Sequence, residues 1–495
     1  MTTTTANDKG PTLGMRHMQA LLIFLDIVVI YISRLNIGVA VVAMTKAEST
    51  NPDFPEFDWS EKQISYILSS FYWGYVCTQF LGGALSKHFG AKITMGLATF
   101  FSAILSAVTP VSVTWGGWEA FCAIRVVQGI FQGMLFPCVH AHLAKWSPLE
   151  ERNRLGALSH TGIECGTVLA LGITGVIASG PMGWPGISYI SAGLCFGWCI
   201  LWFIFAANNP TESRFATESE KSYIETSLEH AEDFHKKQIP IPWKAISLSV
   251  PFNAFLITRC AEGWGLTTLQ AQIPSYLNGV LGMEIKSNAL FSALPFLAMW
   301  VMSYVYVIAA DILQRKQILS LSAIRKTINS CAYWIPAAGL IAIGFLDADN
   351  KPLAIALMTI SVGVNSGATI GSLLNTIDLS PNHAGILMGI NNTIANFMPL
   401  ISPLVVGVIV TDSSNRTEWQ IVFAVSAVVF FLGNIVYLIW GSTAQQPWDA
   451  EDYLVPKDTE TVSKENQATN EDNSKTTIPT LGTITSIKSN AGKTD

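Results

Sequence analysis

Two arginines, Arg34 and Arg125, stand inside runs that are otherwise apolar enough to cross a bilayer. A charge at the centre of a membrane helix costs roughly 2.5–3.5 kcal/mol on insertion scales, so it is kept where it faces a polar cavity or a partner. Arg34 lies about thirteen residues into the first run, roughly 20 Å deep at the helical rise. Arg125 lies in the outer part of the fourth run, and Gln128 and Gln132 follow at spacings that put all three on one helical face. Guanidinium forks match carboxylate or phosphate, so two of them on different helices make a site that wants an anion. The alternative is structural, with each arginine pinning helices through a neighbouring carbonyl.

Other polar residues inside the apolar runs extend this constellation. Tyr31, Tyr72, Tyr75, Asn391 and Asn392 are candidates for the cavity wall, against the plainer reading that they pack. Glu164, with His160 one turn before it, and Glu262, three residues after Arg259, are candidate sites for a coupling cation or proton. The plainer alternative makes each a local pair on its own helix. Asp26 reads as a snorkelling or helix-end residue. Pro399, Pro403, Gly385 and Gly389 suggest a bent helix. No GxxxxGK[ST] loop supports ATP-driven transport, and no HExxH or Cys/His cluster supports a metal centre. With no nucleophile–base pair, no catalytic residue is assigned. The chain is not read as an enzyme, and no cofactor or nucleic-acid partner is expected.

The elements that must hold these residues follow from composition. Half of the 495 residues are hydrophobic and 13% are charged, against about 25% charged in soluble domains. This is a multi-pass integral membrane protein. Apolar spans fall near 19–44, 63–86, 92–113, 118–143, 157–179, 185–207, 250–277, 288–311, 326–346, 353–375, 384–411 and 419–441. The run 21–43 is too long for a cleavable signal peptide. The eight cysteines all lie in or beside apolar runs, so no disulfide framework is implied.

Twelve spans place both termini on one side. Lys87, Lys92, Lys145, Arg152, Arg154, Arg315, Lys316, Arg325 and Lys326 crowd that side, which is therefore expected to be cytoplasmic. The expected organisation is an N-terminal tail over 1–18, a six-helix half over 19–208, a cytoplasmic loop over 209–249 and a second half over 250–442. A disordered acidic tail, poor in apolar residues, follows over 443–495. Within the central loop, 218–237 reads as a solvated linker helix. Asn415-Arg416-Thr417 is a glycosylation sequon in an expected outer loop. GGALSKHFGAKI (82–93) and AADILQRKQI (309–318) echo one another after the second span of each half. Such repetition is a common transporter plan, with the site near the midplane between the repeats.

The 82–93 turn resembles the loop signature of the major facilitator superfamily, with Lys87 where an acid is usual and Asp311 keeping the acid in the second copy. Within it the chain resembles the anion:cation symporter family of sialin, the vesicular glutamate transporters and the sodium-phosphate cotransporters. The matching stretches include YISRLNIGVAVVAM (31–44), FDWSEKQISYILSSFYWGYVCTQFLGG (57–83), RVVQG (125–129), WSPLEERNRL (146–155) and PSYLNGVLGMEIKSNALFSALPFLAMW (274–300). HAGILMGINNT (383–393) and EWQIVF (418–423) continue the match. The nearest likeness is to invertebrate inorganic phosphate cotransporters.

The resemblance implies an all-α membrane protein, a major facilitator fold of twelve transmembrane helices in two six-helix halves. It implies secondary active transport, with Arg34 and Arg125 binding the anion. Proton-coupled relatives carry a glutamate at the position of Gln132 and can carry an aspartate at that of Ser33, and neither residue here titrates. The resemblance therefore favours symport of inorganic phosphate with sodium. The alternative is an organic anion, such as a sugar acid or acidic amino acid, moved with protons. A transport-inactive receptor or scaffold is the different-class alternative, and the presence of both arginines argues against it. Tyr72 and Asn392 are carried as substrate contacts, and Glu164, Glu262 and Gln132 as coupling-ion candidates. The expected setting is a monomer in a plasma or vesicular membrane.

Overall fold

The computed structural model describes residues 13–45, 51–148, 151–235, 241–346, 348–450 and 453–454. The first half opens with α1 (Met15–Leu35) and α2 (Ile37–Thr45), one crossing broken at Asn36. Next comes α3 (Glu61–Phe89), started by a capping box between Ser60 and Gln63. The long α4 (Ala91–Gly133) holds two crossings, divided at Gly117, whose φ of 60° and ψ of −152° only glycine adopts readily. Its second crossing continues as α5 (Leu135–Trp146). Then α6 (Arg152–His160) and α7 (Gly162–Ala178) make the fifth crossing and α8 (Gly183–Phe205) the sixth.

Two short helices, α9 (Glu218–His235) and α10 (Trp243–Leu248), lead to the second half. That half contains α11 (Val250–Gly279), α12 (Ile285–Arg315) and α13 (Leu321–Gly344). The tenth crossing runs from α14 (Lys351–Asn365) through a π-helical turn at Thr369–Leu373 into α15 (Asn375–Leu379). The eleventh is α16 (Ala384–Ala395) and α17 (Phe397–Ile409), broken at Asn396, and the last is α18 (Arg416–Trp440). The eleventh span, where a bend is expected, is thus interrupted at Asn396, one turn before Pro399 and two before Pro403.

Among the described residues nine helical units are long and apolar enough to cross a membrane. One of them, Ala91–Trp146, contains two crossings. The other two crossings, α3 and α11, are long enough but too polar to stand out. Buried Ser65, Ser69, Ser70 and Thr78 dilute α3, while Arg259, Glu262 and Gln272 dilute α11. Both helices face the interior between the halves. The total is the twelve crossings of a major facilitator fold.

The halves close on each other at the face away from the termini. One apolar core there joins Val41, Met44, Leu68 and Trp184 of the first half to Leu269, Ile273, Tyr276 and Phe423 of the second. Backbones come close at this seal: a Cβ on Gly38 would lie 3.3 Å from the Ala271 carbonyl, and one on Gly407 would collide with Ser65. Ser69 Oγ also donates to the Leu400 carbonyl at 2.6 Å. Towards the terminal face the cores separate. One surrounds Leu22, Val139 and Trp202, and others surround Phe255 with Leu387 and Ile328 with Ile370. The halves therefore part on the side where α1 begins and α18 ends.

Two segments beyond the crossings are tied to the terminal face. The first is α9, which is docked rather than solvated. Glu220, 1% exposed, accepts from the backbone N–H groups of Met15 and Arg16 at 2.9 and 3.0 Å, capping the start of α1. Arg16 also bonds Glu151 at 2.6 Å, and Ile224 packs with Trp146. Through that hydrogen bond the Arg16 guanidinium holds the Glu151 carboxyl below the usual carboxylate range. This contribution is complete above the ordinary carboxylate pKa and is lost as pH falls through the lowered value. The helix is described to His235, and the rest of the expected 218–237 span lies outside the described residues.

The second docked segment, 443–450, was expected to begin the unstructured tail. Instead Trp448 stacks on His383, and the buried Asp449 carboxylate accepts from Ser380 Oγ, the Asn382 N–H and Gln445 Nε2. The donors around Asp449, together with one tryptophan, offset the low apolar content that suggested disorder. The expected C-terminal tail over 455–495 and the expected N-terminal tail over 1–12 lie outside the described residues.

Asp449→Ala would leave several donors without their shared acceptor, at about 1–3 kcal/mol. It is expected to lower the unfolding temperature of the detergent-purified protein in a thermal-shift measurement. A melting curve identical to wild type would show that the segment adds nothing to stability.

Candidate anion-binding site

The site forms where α1, α3 and α4 meet. Glycines on α4 make the contact possible, because a Cβ on Gly129 would collide with the Phe71 carbonyl and one on Gly133 with the Tyr75 carbonyl. The resulting close approach sets Phe71, Tyr75 and Tyr31 around the Arg34 guanidinium, with ring centroids 4.7–4.8 Å from Cζ. Arg125 sits 4.9 Å from the Phe71 centroid. Such cation–π contacts are worth about 2 kcal/mol when desolvated, and they orient the forks without neutralising them.

Neutral groups supply the hydrogen bonds. Arg125 Nη2 donates to the Arg34 carbonyl at 3.2 Å, and Nη1 to Gln128 Oε1 at 3.3 Å. Gln128 Nε2 donates to Ser106 Oγ at 3.1 Å, and Ser106 Oγ lies 3.1 Å from Ser33 Oγ. Arg34 Nε donates to Gln132 Oε1 at 3.3 Å. Arg34 is 5% and Arg125 3% exposed. Among the described residues no carboxylate lies within 4.0 Å of either, and Arg34 Nη2 and Arg125 Nε have no partner. Arg125 thus ties α4 to α1 through the Arg34 carbonyl and keeps one donor, Nε, unpartnered.

Two cavities flank Arg125. One of about 360 Å³ is bounded by Arg34, Tyr72 and Arg125 from the first half and by Thr267, Gln270 and Pro403 from the second. The other, about 340 Å³, is bounded by Ser33, Asn36, Ser106, Gln128 and Ser191. In it Asn36, at the break between α1 and α2, donates to Ser191 Oγ at 3.0 Å. Guanidinium donors on one wall and amide and hydroxyl groups on the others suit a small tetrahedral or planar oxyanion.

The remaining candidates are dispersed. Tyr72 lines the first cavity, and Gln132 holds Arg34. Asn392 is exposed and bounds neither cavity, whereas its neighbour Asn391 is buried with Oδ1 unpartnered. Glu262 is paired with Arg259 on its own helix, the plainer of its two readings. Glu164 is half-buried with Oε2 unpartnered. Asn415 caps α18, accepting from the Thr417 N–H at 3.1 Å.

Asp26 departs from the helix-end reading. It is fully buried and accepts from Thr99 Oγ1 at 2.8 Å. Because α1 begins at Met15, Asp26 is well inside the helix, where the carboxyl is enclosed by α4 and α8. Sequence reasoning missed Phe71, Ser106, Asn36, Ser191, Thr267 and Gln270. Asn36, two residues after Arg34, carried a usable signal as a polar residue in an apolar run. Phe71, Ser106, Ser191 and Thr267 are small or aromatic residues that fit ordinary packing equally well, and Gln270 is one of several polar residues along α11.

Two six-helix halves that part on one face, with a cationic site between them, define a secondary transporter. Residues 23–403 match the Major Facilitator Superfamily model. The chain is 36% identical over 458 residues to a Drosophila melanogaster protein named "Putative inorganic phosphate cotransporter", covering 88% of this chain and 86% of that one. It is 30% identical over 444 residues to vesicular glutamate transporter 3 of Danio rerio, covering 88% of this chain and 74% of that one. A solved bacterial homolog of the lysosomal transporter Spinster, inward-facing and occupied, superposes with a TM-score of 0.65 at 11% identity. That match covers 87% of this chain and 97% of the other. The D-xylose–proton symporter gives 0.62 at 15% identity, covering 83% and 96%. The chain belongs to the Major Facilitator Superfamily, in its anion:cation symporter branch. It is a transporter of a small anion and not an enzyme.

Arg34→Lys and Arg125→Lys should each reduce anion uptake at least about tenfold at unchanged surface expression, since lysine lacks the planar fork. The check is radiolabelled uptake normalised to surface-biotinylated protein. Full activity in both variants would exclude bidentate binding.

Proposed function

We propose that this protein is a sodium-coupled symporter of inorganic phosphate, moved by rocking of the two halves about the Arg34–Arg125 site. The observation that carries the proposal is the pair of buried guanidiniums without a carboxylate partner. A guanidinium stays charged across the physiological range, so the empty site holds excess positive charge at every working pH. A phosphate anion supplies the missing charge and can take both forks. The name of the Drosophila relative points the same way.

Sodium is favoured at this site because the group bonded to Arg34 is Gln132, an amide that cannot exchange a proton. Moving one charge through 100 mV is worth about 2.3 kcal/mol, so a divalent phosphate entering against about 60 mV costs on the order of 3 kcal/mol. Two sodium ions cancel that charge, and a third makes the cycle electrogenic. Carbonyls and hydroxyls around the cavities, with Glu164 and Glu262, are the candidate ligands. The second reading is a proton-coupled organic anion. It is favoured by the likeness to a transporter named for glutamate and by the unpartnered oxygen of Glu164.

In the same proposal both termini are cytoplasmic, the protein acts as a monomer, and the halves divide near the stretch 209–249. The membrane is the plasma membrane or a vesicle membrane. Asn415 is then outside and glycosylated; its Nδ2 donates to Glu418 Oε1 at 2.9 Å, and a glycosylated amide keeps one N–H for that bond.

Two experiments test the proposal. Uptake of radiolabelled phosphate into proteoliposomes should collapse when choline replaces sodium at fixed pH. Undiminished uptake in choline, together with acceleration by an imposed proton gradient, would reject sodium in favour of the second reading. Asn415→Gln should remove a glycosidase-sensitive gel shift; labelling of 412–417 by a cytoplasmic reagent would overturn the orientation.

A further inference from the structure

Towards the terminal face the first half holds a line of groups that the anion site does not use. His140 on α5 is exposed and His160, the last residue of α6, is half-buried, with ring centroids 5.2 Å apart. In each, Nδ1 lies 2.8 Å from the carbonyl one turn earlier, Phe136 and Gly156 respectively. A carbonyl can only accept, so Nδ1 carries the hydrogen and Nε2 keeps the lone pair. Glu164 stands one helical turn beyond His160, half-buried, with Oε2 unpartnered. The Phe136 ring lies 6.1 Å from His160 and 6.4 Å edge-on from Tyr31, whose ring in turn faces Arg34 at 4.7 Å. The line therefore runs from an exposed ring near the terminal face to the anion site.

Charged and titratable neighbours of Glu164 can be assigned element by element. On α7 itself there is Cys165, on α6 His160 and on α5 His140. From α1 come Tyr31 and, behind it, Arg34, while Asp26 is turned to Thr99. Two further elements packed against α7 carry titratable groups, Tyr189, Cys195 and Cys199 on α8 and Tyr304, Tyr306, Asp311 and Arg315 on α12; of these Cys195 and Cys199 are turned to the Val29 and Gly96 carbonyls. Among the described residues no lysine or arginine lies within 4.0 Å of Glu164, so its ionised form is uncompensated.

We propose that Glu164, reached through His140 and His160, is a proton-binding site linked to the anion site, so that an anion held by Arg34 and Arg125 draws a proton onto this carboxyl from the terminal side. The inference rests on the anion reading of those arginines; it gives Glu164 to a proton and leaves the sodium of the proposed cycle to the other candidate ligands. An ionised Glu164 and a bound anion repel each other across Tyr31, so binding of the anion raises the carboxylate's affinity for a proton. By linkage, protonation tightens anion binding by the same factor. The transfer is simple: a hydronium proton taken up at His140 Nε2 passes by His160 to Glu164 Oε2, leaving water, a neutral acid and regenerated imidazoles.

The test uses the full-length protein in nanodiscs, with two readouts over about pH 5 to 8. Difference infrared spectra should show a protonated-carboxyl band that titrates in wild type, is absent in Glu164→Gln and persists in Glu164→Asp. Phosphate alone should strengthen that band in wild type. Equilibrium binding of radiolabelled inorganic phosphate should tighten at least about fivefold towards low pH in wild type, beyond the change expected from phosphate's own ionisation. Glu164→Gln should bind phosphate with that excess pH dependence gone. An unaltered band in Glu164→Gln, or the same excess in both proteins, would overturn the proposal. Arg34→Lys separates the two readings. Loss of phosphate binding with the Glu164 band still titrating leaves the anion reading standing and supports an independent proton site. A titrating band in a wild-type protein that binds no phosphate rejects phosphate as the anion of that site, and its linkage to Glu164 with it.

Discussion

Two positive charges share a low-dielectric pocket, and among the described residues no negative charge answers them. Everything around Arg34 and Arg125 can be read as the means of tolerating that. The guanidiniums are spread over aromatic faces, bonded to two amides and a backbone carbonyl, and kept from lipid by α3 and α4. None of these groups cancels the charge. A carboxylate at Gln132 would satisfy Arg34 and make the empty site comfortable; the amide orients the fork and leaves the charge for a ligand.

That electrostatic demand explains which helices are polar. A crossing that faces lipid must be apolar around its circumference, whereas one that borders an aqueous route between two bundles need not be. The two crossings that fail the hydropathy pattern, α3 and α11, carry Tyr72 and Gln270 of the cavity wall. Glycine does the complementary work. Gly129 and Gly133 let α4 approach the backbone of α3, and the gap closed by their missing side chains puts Phe71 and Tyr75 against Arg34.

Much of this was legible in the sequence because charge in an apolar run is conspicuous. Arg34, Arg125, Gln128 and Gln132 announce themselves by type and spacing, and the structure brings them together. Groups whose role depends on tertiary approach were not legible. Ser106 and Ser191 look like ordinary small residues until α1 is laid against them. Asp26 was read as a helix end because the apolar run begins only a few residues before it, yet the helix itself starts at Met15. For 443–450, composition argued for disorder, and a single buried carboxylate with several donors decided otherwise. Asn392 fits the pattern of a site residue, but one helical step moves it from the buried position, held by Asn391, to the exposed one.

The shape of the molecule gives the charge its mechanical consequence. The seal away from the termini is apolar and continuous between the halves, while the cores near the termini are separate. Closing the parted side means bringing the second-half wall, Thr267 and Gln270, and the surfaces below it towards two uncompensated guanidiniums. With the site empty, that step strips water from bare charge and is opposed by desolvation. With an oxyanion bound, the pair is neutralised and the same step buries a hydrogen-bonded assembly. A ligand shifts such an equilibrium only by its differential affinity for the two arrangements, and removal of a desolvation penalty is a difference of that kind. In the proposed cycle the unanswered charge acts twice, first in selecting an anion and then in making closure conditional on having found one.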